Sequence, residues 1–543
     1  MYNTKLKPPR ISQSVSQPAP TGGVNDIDPI SSMEEQFMID SMNFFMDTGM
    51  PVARPGYREW AINFEAPIKT IMYFHDRDGT YANFASTDAG IYDITSGTDA
   101  PSIDHPLTDG LLGFTNFANI ANNYLICCNG VDPTAFYDGT VWTNFTEVVT
   151  PVDPGEINGI SPSLLIFPLS YKHRLWFIEK FTMTAWFLPL DQIGGVAEPF
   201  YLGGIFTKGG HLVALARWSS DTGEGLDDRL VFITSAGEIA SYNGQDPTDA
   251  DNWNLDSIFY VAAPVSARSV TDYGGDVLYL TRRGLVPLSS LISGSSTEIL
   301  YSGALTRKIS RTLMKLTTDP APAFPGEVTT HNDSAWVIIN LFDSSLSSTA
   351  AYDQVLSPGN NQPIQLVMNF LTGAWGKFNF PVRTMRSIDR QFFMGTEDGR
   401  VLVVTSDVYL DDVKFDGTGG QSIELYAFGA YTYLGLPTAN KHCKFVCPTM
   451  QSGVSPAYKM RVLSDFRLNT YGASPSSGVV AGGSLWDVAL WDQSLWARSS
   501  NVFSPWVSAN VLGYSFAWQL KVSTSTAFGL ASVKWVWETG GFV

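Results

Sequence analysis

The chain has 543 residues, too many for one hydrophobic core of ordinary size, and reads as two or three domains. Its net charge of −18 excludes a conventional nucleic-acid binder, which carries a basic stripe. Four cysteines exclude a disulfide framework, and no apolar run is long enough to span a membrane.

Charged residues are only 16% of the chain, which suggests that partners cover much of the surface. Aromatics at 13% point to β-sheets and buried interfaces. The opening Met1-Tyr2-Asn3-Thr4-Lys5 has no apolar stretch of a secretion signal, and the expected state of the thiols is reduced, as in the cytosol.

Residues 1–32 are rich in Pro, Ser, Gln and Gly, with Lys5, Lys7 and Arg10 as a basic cluster. They read as an extended arm, ordered only where something holds it. Ser32-Met33-Glu34-Glu35 fits a capping box, and Met33, Phe37, Met42 and Phe45 recur at roughly helical spacing. This predicts a short amphipathic helix that ends before Gly49 and Pro51 and packs on its own β-domain.

From residue 52 to about 412 the pattern is hairpin after hairpin. Residues 81–86 and 91–94 flank Asp88-Ala89-Gly90, and residues 124–127 precede Asn129-Gly130 and Phe136-Tyr137. Residues 176–179 and 185–188, 230–234 and 239–242, and 278–281 and 285–288 repeat the design, as do 366–369 with Trp375 and 392–395 with 400–404. Starts roughly forty to fifty-five residues apart match the blade period of a β-propeller. Five to eight blade-like sheets are expected. The one helical pattern is 305–316, with Leu305, Ile309, Leu313 and Leu316 on one face, as expected of a helix that plugs a sheet edge or a blade gap.

Beyond Asp411-Asp412 and Gly417-Thr418-Gly419-Gly420 the strands lengthen, as in a β-sandwich. Within it Trp486, Trp491 and Trp496 fall on a five-residue beat that fits neither helix nor strand, so a turn-rich loop is expected. Its indoles wedge into a sheet of this chain or into a neighbouring subunit. The predicted fold class is thus all-β: an N-terminal arm and short helix (1–60), a β-propeller-like domain (61–412) and a C-terminal β-sandwich (413–543).

No catalytic template stands out: G-x-S-x-G, the P-loop and H-E-x-x-H are all missing. His75, His105, His173, His211, His331 and His442 are scattered, and His173 is expected in a strand as a structural residue. Cys127 and Cys128 should face opposite sides of a strand. Cys443 and Cys447 beside His442 lack a second ligand pair for zinc. Asp76-Arg77-Asp78-Gly79 reads as a tight turn, since it lacks the later ligands of a calcium loop. Catalytic, cofactor-binding and metal sites are therefore predicted as none.

Ser86-Thr87-Asp88-Ala89-Gly90-Ile91-Tyr92 resembles the Asp-box hairpin of sialidase propellers. Arg174, Arg217, Arg268 and Arg383 could supply the arginines of such a site, but their convergence is not visible in the sequence. A propeller glycosidase or sialidase, or a glycan-binding propeller, acting on the host surface is the alternative function.

Read end to end, the chain resembles the tail nozzle proteins of short-tailed bacteriophages and prophages, also called tail tubular protein B-like. The stretches that carry the resemblance stand in a fixed order. They begin with Gly22-Gly23-Val24-Asn25-Asp26-Ile27-Asp28-Pro29, Asn43-Phe44-Phe45 and Val52-Ala53-Arg54-Pro55-Gly56-Tyr57. Ile91-Tyr92-Asp93-Ile94-Thr95, Phe136-Tyr137-Asp138-Gly139, Arg174-Leu175-Trp176-Phe177-Ile178-Glu179-Lys180 and Ala185-Trp186-Phe187-Leu188-Pro189 follow. The most specific stretch is 204–288, and the end is marked by Trp486-Asp487 and Trp537-Glu538-Thr539-Gly540-Gly541. Departures are Met46, where the family often has Pro, and the Pro-rich extension before residue 20. The resemblance implies a non-enzymatic structural subunit of a sixfold ring (a hexamer) in the virion tail, made in the host bacterial cytoplasm. It implies contacts with the head-to-tail adaptor, with tail fibre or spike and with tail plug proteins. Genomic DNA would pass through its lumen without sequence-specific binding, and no cofactor is implied.

Overall fold

The computed structural model describes residues 12–99, 101–221, 226–249, 251–292, 303–318, 326–341, 364–468 and 501–539. The basic cluster at residues 5–10, the tryptophan beat at 486–496 and the final glycines lie outside the described residues. Strands make up 53% and helix 4%, so the chain is all-β, and its body is a β-propeller.

Six propeller sheets stand on their own. Blade 1 is Thr70–His75, Tyr81–Thr87, Gly90–Asp93 and His105–Pro106. Blade 2 is Gly113–Ala118, Asn123–Cys128, Ala135–Tyr137 and Trp142–Asn144. Blade 3 is Leu165–Tyr171, Arg174–Glu179, Thr184–Phe187 and Glu198–Tyr201. Blade 4 is Leu212–Asp221, Leu226–Thr234, Glu238–Gly244 and Trp253–Tyr260. Blade 5 has three strands, Val270–Tyr273, Asp276–Thr281 and Gly284–Pro287. The closing blade joins Thr384–Ile388, Gln391–Gly395 and Val401–Val404 to Tyr57–Ala61, a strand from the start of the chain.

Between blade 5 and the closing blade a further meander continues the ring: Glu327–His331, Trp336–Leu341, Ile364–Asn369 and Trp375–Phe378. It does not stand alone. Trp375 pairs in parallel with Gly23, and through Gly23–Val24 and Phe37–Met42 the sheet runs on to Gln421–Gly429, Phe516–Thr524 and Ala457–Ser464. The result is one ten-stranded sheet that crosses from the propeller into the C-terminal strands. Gly23 is required at the join: its φ is +77°, and a Cβ there would sit 2.5 Å from the Trp375 carbonyl oxygen.

A second sheet contains Phe44–Met46, Pro51–Ala53, Lys441–Ser452, Val507–Gly513 and Phe528–Thr539. It shares one apolar core with the C-terminal part of the ten-stranded sheet, where Trp518, Leu520 and Val522 meet Val446, Met450 and Trp535. The Arm residues Gln13–Pro18 pair antiparallel with the edge of the last strand, from Gln13 opposite Trp537 to Pro18 opposite Ser532. Gln17 is buried there and accepts a hydrogen bond from the Trp535 indole.

The hairpins read from the sequence are present as strands, because glycine or Asx turns separate runs that each bury one blade face. Cys127 and Cys128 do face opposite sides: one packs between blades 1 and 2, the other between blades 2 and 3. Three expectations need correcting. Residues 33–47 form strands and no helix, since Asn43 adopts φ +62° and Phe37–Met42 gains pairing partners on both sides. His173 lies in a turn at φ +58° between two strands of blade 3. Residue 412 is no break between separate sheets: Leu410–Asp411 pairs with the strand that begins at Gln421.

The helical stretch is a short 3-10 turn, Arg307–Ile309, leading into Ser310–Thr318. Ile309 and Leu313 are buried among Leu278, Leu280 and Leu285 of blade 5 and Val337 and Ile339 of the neighbouring meander. The helix thus covers the apolar seam between blade 5 and the meander. Its N-terminus is held by Asp26, whose carboxylate accepts hydrogen bonds from the Arg311 and Thr312 backbone amides.

The chain enters the propeller at Arg54, which is fully buried. Its guanidinium makes a two-pronged contact with Asp411 at 2.7 and 2.6 Å and bonds to the Asn43 side chain at 2.9 Å. It also lies 4.4 Å from the Phe380 ring centre. Arg54→Ala should cost about 3–5 kcal/mol, because Asp411 is left without its counter-charge. Chemical denaturation is the measurement, and Asp411→Asn should cost a comparable amount, since it leaves the buried Arg54 guanidinium without its counter-charge. Ile309→Asp should cost about 3 kcal/mol or more, since it puts a charge into the apolar seam under the helix. Unchanged melting of that variant would contradict the buried face.

Candidate functional site: the axial channel of the propeller

The innermost strands of all the blades converge on one channel. Its wider compartment is about 410 Å³, and every inner strand contributes a lining residue, from Tyr73 of blade 1 to Ser387 of the closing blade. A narrower compartment of about 120 Å³ adjoins it; Phe114, Phe167, Pro168 and Arg386 line both. The constriction has a backbone cause. The inner strand of blade 3 shifts register between Ile166 and Leu169, and Phe167 sits at φ +50°. This bulge turns Phe167-Pro168 towards the axis. Gly113 of blade 2 leaves room for it: a Cβ there would lie 3.0 Å from the Pro168 ring.

Arg268 closes the narrow end. It stands in the one-turn segment Ala267–Ser269 that precedes blade 5. It donates to the Lys69 carbonyl at 2.8 Å, the Thr70 hydroxyl at 2.6 Å, the Leu112 carbonyl at 3.1 Å and the Thr384 hydroxyl at 3.3 Å. One side chain thereby ties blades 1, 2 and 5 to the closing blade. Thr384 in turn donates to Glu327 at 3.1 Å, and Glu327 also accepts from the Met385 amide at 3.0 Å. Burial lowers the pKa of Arg268, Glu327 pulls it back up, and Arg386 and Arg383 push it down again.

The wider compartment is polar and charged. Arg217 of blade 4 faces Asp272 of blade 5 at 3.9 Å, and solvent reaches both. The Arg386 guanidinium lies 4.5 Å from the Phe114 ring centre, and its Nε has no hydrogen-bond partner. Desolvation raises the Asp272 carboxyl above its usual range, against the opposing pull of Arg217 and Arg386. Asp272 is accessible from the channel, yet protein surrounds it, which explains an exposed carboxylate that is still poorly solvated.

Of the four arginines named from sequence, Arg217 and Arg268 reach the channel. Arg174 pairs with Asp246 at 3.1 Å, and Arg383 pairs with Glu397 at 2.7 Å. Sequence reading missed Arg386, Asp272 and Tyr73. Nothing in their immediate neighbours, Thr271 and Tyr273 or Met385 and Ser387, marks Asp272 and Arg386 as axial.

The histidines stay apart. His75 lies 3.6 Å from Asp389, His105 bonds to Asn144, and His173 lies 3.3 Å from Asp191. His211 packs on Phe181, His331 bonds to Ser387, and His442 bonds to Asn510. All four cysteines are buried free thiols, and burial pushes Cys127 and Cys443 up to about 12. Among the described residues no group of three or more His, Cys, Asp or Glu side chains could hold a metal. No helix there is long and apolar enough to cross a membrane.

Asp76-Arg77-Asp78-Gly79 is the turn between the first two strands of blade 1, with Gly79 at φ +90°. The Asp-box stretch joins blades 1 and 2: Asp88 accepts from the Gly110 amide at 3.1 Å and pairs with Lys69 at 2.5 Å. Next to it Asp132 accepts from the Thr108 hydroxyl and amide and from the Asn129 side chain.

The comparison with protein-family models returns no match, and neither does the comparison with curated proteins. Solved structures do match. BBS1N, in complex with ARL6DN, is 11% identical, with a TM-score of 0.38 over 65% of this chain and 98% of that one. Raptor of Chaetomium thermophilum is 9% identical, with a TM-score of 0.35 over 65% of this chain and 29% of its own. YCF48 of Cyanidioschyzon merolae is 12% identical, with a TM-score of 0.34 over 64% of this chain and 98% of its own. At such scores these likenesses carry no inference about function; the propeller rests on this chain's own strand pairing.

The blade 1–2 joint makes the fold acid-sensitive. Desolvation raises the Asp88 and Asp132 carboxyls, but the hydrogen bonds, with Lys69 beside Asp88, outweigh it and hold both below the ordinary aspartate value of 3.8. Carboxyls lowered in the folded state contribute stability that is full above the unfolded value and lost as pH falls through the folded one. The melting temperature should therefore drop between about pH 5 and about pH 3, and Asp132→Asn should show a shallower drop. Parallel acid profiles of wild type and variant would refute this.

Proposed function

We propose that the protein is a structural, non-enzymatic subunit of a phage tail nozzle, assembled as a sixfold ring that extends the DNA-ejection channel. One observation supports this beyond the order of the resembling stretches. The residues of the N-terminal stretches sit at the seams of the molecule. Gly23 joins the propeller meander to the C-terminal sheet, Asn25 accepts from the Ile27 and Asp28 amides, and Asp26 holds the helix. Arg54 binds Asp411, and Gly56 packs so close to Leu410 that a Cβ would sit 2.0 Å from its carbonyl oxygen. These residues weld propeller and C-terminal sheets together. That is the need of a wall element that must keep its shape under internal pressure, and closed rotational symmetry would make the tube.

On this reading the partners are five further copies, the head-to-tail adaptor, a fibre or spike and a plug, in the virion tail. The charge of −18 on each copy would repel polyanionic DNA from the wall. Negative-stain microscopy of the purified protein and of the virion is the test. A sixfold ring at the tail tip is the expected image. Isolated monomers with no virion location would overturn the proposal and favour a glycan-directed propeller.

A further inference from the structure

The propeller's axial channel carries more cationic capacity than its architecture consumes. Arg268 spends its donors on carbonyls and hydroxyls and is a structural bolt. Arg386 is different. It has no ion pair among the described residues, its face is held against Phe114, and its Nε lacks a partner. Arg217 is also underused, because its one carboxylate partner among the described residues, Asp272, is 3.9 Å away. Asp272 offsets one of these two cations, which leaves one positive charge in the compartment for an anion to neutralise.

We propose that the wider axial compartment binds a carboxylate-bearing saccharide, with its acid group between Arg217 and Arg386. Guanidinium and carboxylate match as planar, hydrogen-bonding partners. The rest of the wall suits a sugar. Asp272, Thr330 and Ser387 offer groups for hydroxyls. The Asn116 carbonyl oxygen is buried without a partner, and its amide is fixed on the Tyr73 carbonyl at 3.1 Å. Phe114, Phe167 and Tyr73 provide apolar surface for a sugar ring face. The volume of about 410 Å³ lies in the range of small-molecule sites, about 300–1,000 Å³. A strained bulge at Phe167 shapes the compartment floor, and strain of this kind is usual at ligand clamps.

This inference does not depend on ring assembly, since all the lining residues come from one chain. The free source could be a monosaccharide acid or the end of an acidic glycan; the recognised chemistry is the same. The test is titration calorimetry of the full chain with sodium galacturonate and with N-acetylneuraminate, against neutral galactose and inorganic phosphate. At least one acid sugar should bind, while galactose and phosphate bind more weakly by about tenfold or more. Arg386→Gln and Arg217→Gln should each weaken that binding by about tenfold. Arg386→Lys should recover part of it, and melting curves should confirm that each variant is folded. Three results would overturn the proposal: no acid sugar binding to the wild type, phosphate binding as tightly as the sugars, or binding unchanged in both glutamine variants.

Discussion

The structure depends on one buried ion pair, Arg54 with Asp411. A guanidinium with no solvent contact is tolerated only if its donors are matched, and here Asp411, Asn43, Asn379 and the Pro55 carbonyl match them. Each partner comes from a different part of the chain. Asn43 belongs to the strands that thread the C-terminal sheets, Asn379 follows the meander in the ten-stranded sheet, and Asp411 follows the closing blade. A buried pair of this kind adds less net stability than its contacts suggest, because both charges had to leave water. What it does is tie these three parts of the chain to one point.

The segment that carries Arg54 also closes the propeller. Three residues after Arg54 the strand Tyr57–Ala61 begins and pairs with Val401–Val404. Ring closure therefore joins the first and last parts of the body, and anchoring to the C-terminal sheets follows from the same segment. Such pairings are far apart in sequence, and a fold dominated by them forms slowly, because loop entropy is lost before the contacts form. Arg268 does the corresponding work at the centre. It spans four blades with one side chain and leaves the axis narrow at that end.

The blades were legible because their signal is local. A turn residue such as Gly237, at φ +79°, between Leu226–Thr234 and Glu238–Gly244 announces a hairpin whatever surrounds it. The helix at Ser310–Thr318 was legible for the same reason: Ile309 and Leu313 are one turn apart on a single face. Residues 37–46 misled, since Met and Phe spacing there fits a helix, and the pairing that decides the matter comes from Gly23–Val24 and Gln421–Gly429. The axial site was half legible. Arg217 and Arg268 could be named, but Arg386 and Asp272 could not, because a place on the axis is a property of blade order and inner-strand phase. Neither leaves a mark in a short window of sequence.

Two different passages need separating in a ring of propellers. The channel inside this propeller narrows to a compartment of about 120 Å³ between Phe167, Arg268 and Arg386. A DNA duplex, whose major groove alone is about 12 Å wide, cannot enter it. In the proposed ring, DNA would run along the assembly axis, past outer surfaces of the subunits, and the net charge of −18 acts there. The propeller axis is then free of that duty and can hold opposite electrostatics. Arg217, Arg268 and Arg386 outnumber Asp272 and Glu327 along the channel, which leaves it net positive at the heart of an acidic protein. Low-dielectric walls focus such a field, so a small anion would be drawn inward while a polyanion stays outside on size alone.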